Sequence, residues 1–366
     1  MTRSGISDVL PLSPLQEGLL FHAQYDDDQA PDVYAAQQVL ELTGAVDPAA
    51  VRAAGQALLD RHPNLRACFR RRDGGAPIQI VPSDVELPWA EADLSAYDEN
   101  GREAAWQRLL DEERVRRFDL ARPPLLRHLL VRWAPDRYRL VITNHHILLD
   151  GWSKHLLFRE FGALHSGEHP AALPPPPSYR DYLAWLGRQD RAAAEAAWRD
   201  ALSGLSAPTL LAPGAPTAPV LPHELIVELP EELTARAEAT ARAVGVTLNT
   251  LVQGSWGVLL GRLTGRGDAV FGQTVTIRPP ELANVTSLVG FCINTVPLHV
   301  RWDDADTVAR FLTRLQDRHA ALLPHQYLGL ADIRCANGFC DLFDFLLCLR
   351  EPPRRHAHVT GHPCSP

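Results

Sequence analysis

A mixed α/β fold with substantial antiparallel pairing is predicted by three observations on this 366-residue chain. Helical and strand patterns are interspersed along its whole length. The strands do not alternate regularly with helices, as a doubly wound parallel sheet requires. A run of four prolines at 174–177 breaks the pattern near the middle and suggests two lobes of α+β type.

The elements follow in order. Ser13-Pro14-Leu15-Gln16-Glu17 opens a helix running through Phe21, with Ser13 as cap, Pro14 at the first helical position and Glu17 in the first turn. Residues 34–42, 65–70, 77–81, 125–133 and 138–144 are short, apolar-rich or alternating, and mostly bounded by Gly, Pro or Asp, so they read as strands. Residues 47–61 set Val51, Leu58 and Leu59 on one face behind an Asp47-Pro48 start, the signature of an amphipathic helix on a sheet. The connector at 173–178 places a lobe boundary, giving a first lobe at 1–177, a second at 178–349 and a tail at 350–366. In the second lobe, 179–202 reads as one long helix, 231–244 and 247–263 as two more, 269–276 and 295–302 as strands, and 305–323 as a helix.

Composition excludes several classes. The formal net charge is −8 and the arginines are spread along the chain, so no nucleic-acid partner is indicated. No apolar run reaches the roughly 20 residues that span a bilayer, and the first residues lack a secretory layout, so the expectation is a cytoplasmic protein with no membrane partner. The six cysteines, at 68, 292, 335, 340, 348 and 364, form no CxxC pair and point to free thiols, with neither a disulfide framework nor a zinc site.

One run carries chemistry. A strand ends in Thr143-Asn144-His145-His146, and Ile147-Leu148-Leu149 leads to Asp150-Gly151, where a helical pattern starts. A histidine there can take a proton near neutral pH and return it. Gly151 would let backbone approach a reacting carbonyl, and amides at the helix start could stabilise developing negative charge. Standing alone, such a pair is more often a histidine satisfied by a hydrogen bond. A metal site is disfavoured because neighbouring residues at a strand end point to opposite faces.

Other motifs accompany this one. His145-His146-Ile147-Leu148-Leu149-Asp150-Gly151 has the form HHxxxDG. Before it stand Leu12-Ser13-Pro14-Leu15-Gln16-Glu17-Gly18 and Arg61-His62-Pro63-Asn64-Leu65-Arg66. After it come Tyr179-Arg180-Asp181-Tyr182, Val289-Gly290-Phe291-Cys292-Ile293-Asn294-Thr295 and His325-Gln326-Tyr327. In this order they resemble the condensation domains of nonribosomal peptide synthetases, over about residues 9 to 349.

The resemblance implies two chloramphenicol acetyltransferase-like lobes in a V, with a tunnel between them. It implies amide formation between two thioester-bound substrates carried on the phosphopantetheine arms of partner carrier domains, with no cofactor bound directly and an adenylation domain as a further partner. His146 becomes the catalytic residue, as general base or as the group that positions the attacking amine. His145 turns inward, and Asp150 is structural, paired with Arg66 or Arg61. Gly151, Trp152, Ser153 and Asn294 line or support the tunnel. The Gln16-Glu17-Gly18 start resembles domains whose donor ends in a D-residue.

The family's second lobe continues beyond the segment at His325, whereas here an Arg, Pro and His-rich stretch without apolar periodicity follows residue 349. One lysine among 36 basic residues marks a GC-rich coding sequence, and out-of-frame reading gives such tails. The expectation is a truncated second lobe with a disordered tail. That leaves an inactive fragment or carrier-binding module, and a stand-alone coenzyme A-dependent acyltransferase, as alternatives.

Overall fold

The computed structural model describes residues 5–25, 32–71, 75–205, 207–214, 225–349 and 359–360. Three sheets organise them. In the first, β1 (Ile6–Leu10) pairs antiparallel with β4 (Pro77–Pro82), which pairs antiparallel with β3 (Cys68–Arg71). The largest sheet is built on β2 (Ala35–Thr43), β7 (Arg137–His145) and β6 (Leu126–Ala134), antiparallel in that order, with β5 (Trp89–Asp93) parallel to β6 at its edge. The third sheet pairs β8 (Asp268–Thr276) antiparallel with β9 (Ile293–Arg301), and the short β10 (Leu346–Leu347) runs parallel to β8.

Side-chain alternation along β7 decides what each face meets. On one face Leu40, Leu130 and Leu140 pack under α2 (Pro48–Arg61) and α4 (Gly151–His165), through Val51, Leu58, Phe161 and Leu164. On the other, Leu129, Val131 and Val141 meet Ala105 and Trp106 of α3 (Glu99–Val115). By this parity Asn144 belongs to the α2/α4 side and His145 to the α3 side.

In the other half, α7 (Glu231–Val244), α8 (Leu248–Leu263) and α9 (Val308–Leu322) cover β8 and β9. Gly257 lets α8 approach closely, since a Cβ there would lie 2.6 Å from the Val300 side chain. The largest core cluster joins the halves: Ile147, Leu148 and Leu149 share it with Tyr182, Val289 and Phe291. Among the described residues no single helix is long and apolar enough to cross a membrane; α7 and α8 meet that test only as a pair bent by 102°.

Several expectations are corrected. The single helix at 179–202 is two, α5 (Tyr179–Leu186) and α6 (Arg191–Ala201), because Gly187 ends the first and the Asp190 carboxylate caps the second through Ala193 N. The strand expected from residue 65 starts at Cys68, since Pro63 begins a 3₁₀ turn, Pro63–Arg66. The sequence reading omits β1, β5 and α3. β1 and β5 are edge strands with mostly exposed or half-exposed side chains, and α3 buries only Ala105 and Trp106, so their periodic signals are weak. Of the tail, residues 350–358 and 361–366 lie outside the described residues, whereas β11 (Val359–Thr360) runs parallel to β2.

Candidate active site

Strand β7 ends at His145, a single 3₁₀ turn covers His146–Leu148, and Asp150 caps α4 through Ser153 N at 2.7 Å. From His145 to Asp150 only His146 is not fully buried. Its backbone N–H donates to Tyr34 O at 2.9 Å, and its ring meets Phe291 edge-on, with centroids 5.5 Å apart. Ring Nδ1 lies 3.1 Å from Leu149 O. A carbonyl only accepts, so Nδ1 carries the proton and Nε2 of the neutral ring presents a lone pair. Burial pushes His146 below its ordinary 6.5; the Lys154 charge acts in the same direction, against the Leu149 carbonyl and the Asp150 carboxylate. The ring is therefore neutral at pH 7 and able to accept a proton.

His145 has the opposite arrangement. Its Nδ1 accepts the Ile147 N–H at 3.1 Å, which leaves the proton on Nε2, 3.8 Å from Asp32 Oδ1. It is buried against Tyr34 and Phe118, and burial pushes it down to about 4. The two histidines thus face different surroundings, and among the described residues no group of His, Cys, Asp and Glu could hold a metal ion.

Asp150 is wholly buried. Its Oδ2 accepts from Arg278 Nη2 and from Cys292 N, both at 3.0 Å, and its own N–H donates to Gly290 O at 3.1 Å. Arg278 also donates to the carbonyls of Val285 and Leu288. One fully buried side chain, Ser153, donates to Gly290 O at 2.8 Å and accepts from Gly290 N at 3.0 Å. The start of α4 is thereby sewn to residues 278–292.

A condensation-domain family model matches residues 6–342. This chain belongs to the condensation-domain family of nonribosomal peptide synthetases. It is 36% identical over 363 residues to a linear gramicidin synthase protein of Brevibacillus parabrevis, covering 98% of this chain and 7% of that protein. Bacitracin synthase 3 of Bacillus licheniformis is 31% identical over 353 residues, covering 94% of this chain and 6% of the relative. The chain therefore spans a small fraction of the length of these relatives. The first condensation domain of the calcium-dependent antibiotic synthetase, solved with a substrate analogue, shares the fold with a TM-score of 0.78 at 22% identity, over 95% of this chain and 82% of that one.

Within this condensation domain the expected partners of Asp150 are wrong. Arg61 instead donates to Glu160 Oε2 at 3.0 Å and to the carbonyls of Pro170 and Pro174. Arg66 is spent on the carbonyls of Leu59, Asp60 and Pro82. Both arginines are engaged with backbone carbonyls, whereas Arg278 stands where β8 has ended and can turn back under α4. Asn294 is buried and donates to Gln326 O and Leu328 O, so it fastens a loop. Ser153 is likewise an internal clasp.

Trp152 is 48% exposed, with its indole N–H on Thr286 O at 2.8 Å. Gly151 is exposed, and a Cβ there would meet nothing within 4 Å, so neighbouring atoms do not demand glycine. Of the α4 amides expected to stabilise an oxyanion, that of Ser153 is already taken by Asp150.

Three supporting features escaped the sequence reading. No pattern marks Arg278. Gly290 and Tyr179 lie inside quoted motifs, but their contact does not show in sequence: a Cβ on Gly290 would sit 2.5 Å from the Tyr179 ring. The third is Gln16, which donates from Nε2 to Ile147 O at 2.9 Å, reaching from α1 (Pro14–Tyr25) to the turn that carries His146.

Proposed function

We propose that this condensation domain joins a donor acyl or peptidyl thioester to the amine of an acceptor aminoacyl thioester. Both substrates are held on phosphopantetheine arms of carrier domains that an adenylation domain loads. The amine nitrogen attacks the thioester carbonyl, the N–C bond forms, the C–S bond breaks, and the thiol leaves. The nitrogen gives its proton to Nε2 of His146, which passes it to the departing sulfur, or hydrogen-bonds there while it attacks and its proton goes to the sulfur as the C–S bond breaks.

The observation that supports this best is the His146 ring itself, partly exposed at a fixed strand-to-helix turn, with Nδ1 occupied and Nε2 left as a base. The sheets support lobes at 1–177 and 178–349, since β1 to β7 pair among themselves and β8 to β10 pair only with one another. Gly151 and Trp152, exposed beside His146, would border the passage for the arms. The Gln16-Glu17-Gly18 start favours a donor ending in a D-residue.

The test is product formation from loaded donor and acceptor carriers, with donors of both configurations. His146→Ala should lower the rate about 10²- to 10⁴-fold, and the D-donor should outpace the L-donor. Because the His146 pKa lies below 6.5, wild-type activity should persist at pH 6.5 and fall only as the pH drops through that lower value. Full product from the His146→Ala variant would end the assignment, and product from coenzyme A thioesters without carriers would favour a stand-alone acyltransferase.

A further inference from the structure

Two sets of contacts from outside the His146 turn hold it, and both lead back to one carboxylate. The first runs through backbone. Asp32 Oδ1 accepts the Tyr34 N–H at 3.0 Å and the Asp32 carbonyl accepts the Ala35 N–H at 3.2 Å, a local turn that sets the chain into β2. Tyr34 O then accepts the His146 N–H at 2.9 Å, one step beyond the pairing of Ala35 with His145.

The second runs through a ring. Asp32 Oδ1 lies 3.8 Å from His145 Nε2, and His145 Nδ1 accepts the Ile147 N–H at 3.1 Å. At 3.8 Å the carboxylate is too far for a hydrogen bond and acts as a charge facing an N–H dipole. A neutral imidazole has one N–H and one lone pair, so whatever keeps the proton on Nε2 keeps Nδ1 free to accept. Burial makes the ring neutral at pH 7, since it outweighs the Asp32 charge and pushes His145 down to about 4. Asp32 and His145 are both buried, and both line a pocket of about 550 Å³ together with Tyr34, Phe69 and Phe118.

We infer that Asp32 is a positioning residue for His146: it fixes the Nε2-protonated tautomer of His145 and the place of the Tyr34 carbonyl, so that the turn presents the His146 ring in one orientation. The two adjacent histidines are thereby held in opposite tautomers, His145 with its proton on Nε2 and His146 with its proton on Nδ1 against Leu149 O. The effect on rate rests on the amide-forming reading above, whereas the effect on the His145 ring does not.

The experiment takes two readings on the whole chain at pH 7. One is kcat and KM for amide formation from loaded carriers. The other is the nuclear magnetic resonance of the His145 ring nitrogens in 15N-histidine-labelled protein, assigned with a His145→Gln variant, which reports the tautomer without catalysis. Wild type should show a protonated Nε2 and a bare Nδ1. In Asp32→Ala the vacated space joins the pocket and water can donate to or accept from Nε2, so the two nitrogen signals should move toward averaged values. Its kcat should fall about tenfold to a hundredfold with KM little changed, as expected when a base is displaced by up to about 1 Å. Asp32→Asn keeps an acceptor oxygen for Tyr34 N and His145 Nε2, and should restore both readings to near wild type.

A proton on Nδ1 of His145 in wild type would overturn the inference with no variant needed, which keeps it testable should Asp32→Ala fail to fold. Unchanged kcat in a folded Asp32→Ala variant would overturn it as well. So would a fall in kcat with the His145 signals unmoved, or an Asp32→Asn variant as slow as Asp32→Ala. Should wild type form no amide, the reading of function fails while the ring signals still decide whether Asp32 holds His145.

Discussion

Helix α4 holds two nearly buried carboxylates, Asp150 at its start and Glu160 on its third turn, and they are tied down differently. Asp150 binds Arg278 and two backbone amides, those of Ser153 and Cys292, so its partners come from both sides of the proline connector. Glu160 binds Arg61 and His62, and Arg61 passes on to the carbonyls of Pro170 and Pro174. The Asp150 cluster couples the halves of the molecule at the His146 turn, whereas the Glu160 cluster fastens the connector to the first half. Similar chemistry on one helix thus serves assembly of the site in one place and anchorage of the chain in the other.

The sharpest way to break the comparison is Asp150→Ala. It leaves the Arg278 guanidinium, 5% exposed, without a counter-charge and frees the Cys292 amide, a loss of about 3–5 kcal/mol. Chemical denaturation should show this as a lowered midpoint. A double variant, Asp150→Ala with Arg278→Met, should recover part of the loss, because no charge is then buried alone. Equal stability of the two variants would mean that the amide contacts, and not the ion pair, hold the cluster.

Glu160→Gln should cost less, about 2 kcal/mol at neutral pH, since the amide keeps one acceptor for Arg61 or His62. Burial tends to raise the Glu160 carboxyl, but the His62 hydrogen bond and the charges of His62 and Arg61 outweigh it, and the net shift is below the ordinary 4.5. A lowered carboxyl stabilises the fold above 4.5 and loses that contribution as the pH falls through its folded value. The variant's cost should therefore shrink in acid, which stability measured at pH 7 and near pH 3 can check. Activity should change far less than for Asp150→Ala, because the connector lies away from His146.

The same contrast separates what sequence could tell from what it could not. The turn at His145 to Gly151 was legible, because a strand pattern, two histidines and a capping aspartate occur in one continuous stretch, and the inward orientation of His145 follows from strand parity. The helices α7 and α8 were legible from their helical patterns, α8 also from a continuous apolar face. The partner of Asp150 was not. Arg61 and Arg66 sit in a motif and Arg278 in none, and the choice depends on which guanidinium the fold turns toward α4 and which it consumes on carbonyls. The break at Gly187 to Asp190 was hidden for a related reason, since alanines and arginines on both sides sustain a helical pattern across it.

The smallest effect on stability and the finest test of the His146 turn concern Gln16. Its Oε1 accepts the Ser13 N–H at 2.9 Å, completing a capping box at the start of α1, while its Nε2 holds Ile147 O. Gln16→Ala removes both contacts and should cost about 1 kcal/mol, with amide formation slowed about tenfold and KM little changed, as expected when the base is misplaced by a fraction of an ångström. Gln16→Glu separates the two roles. A glutamate can still accept from Ser13 N and restore the helix start, but it has no N–H for Ile147 O and sets a carboxylate against that carbonyl. Stability should then recover more than rate does. If rate and stability recover together, Gln16 acts only through the helix, and the orientation of His146 depends on its other contacts, with Tyr34, Leu149 and Phe291.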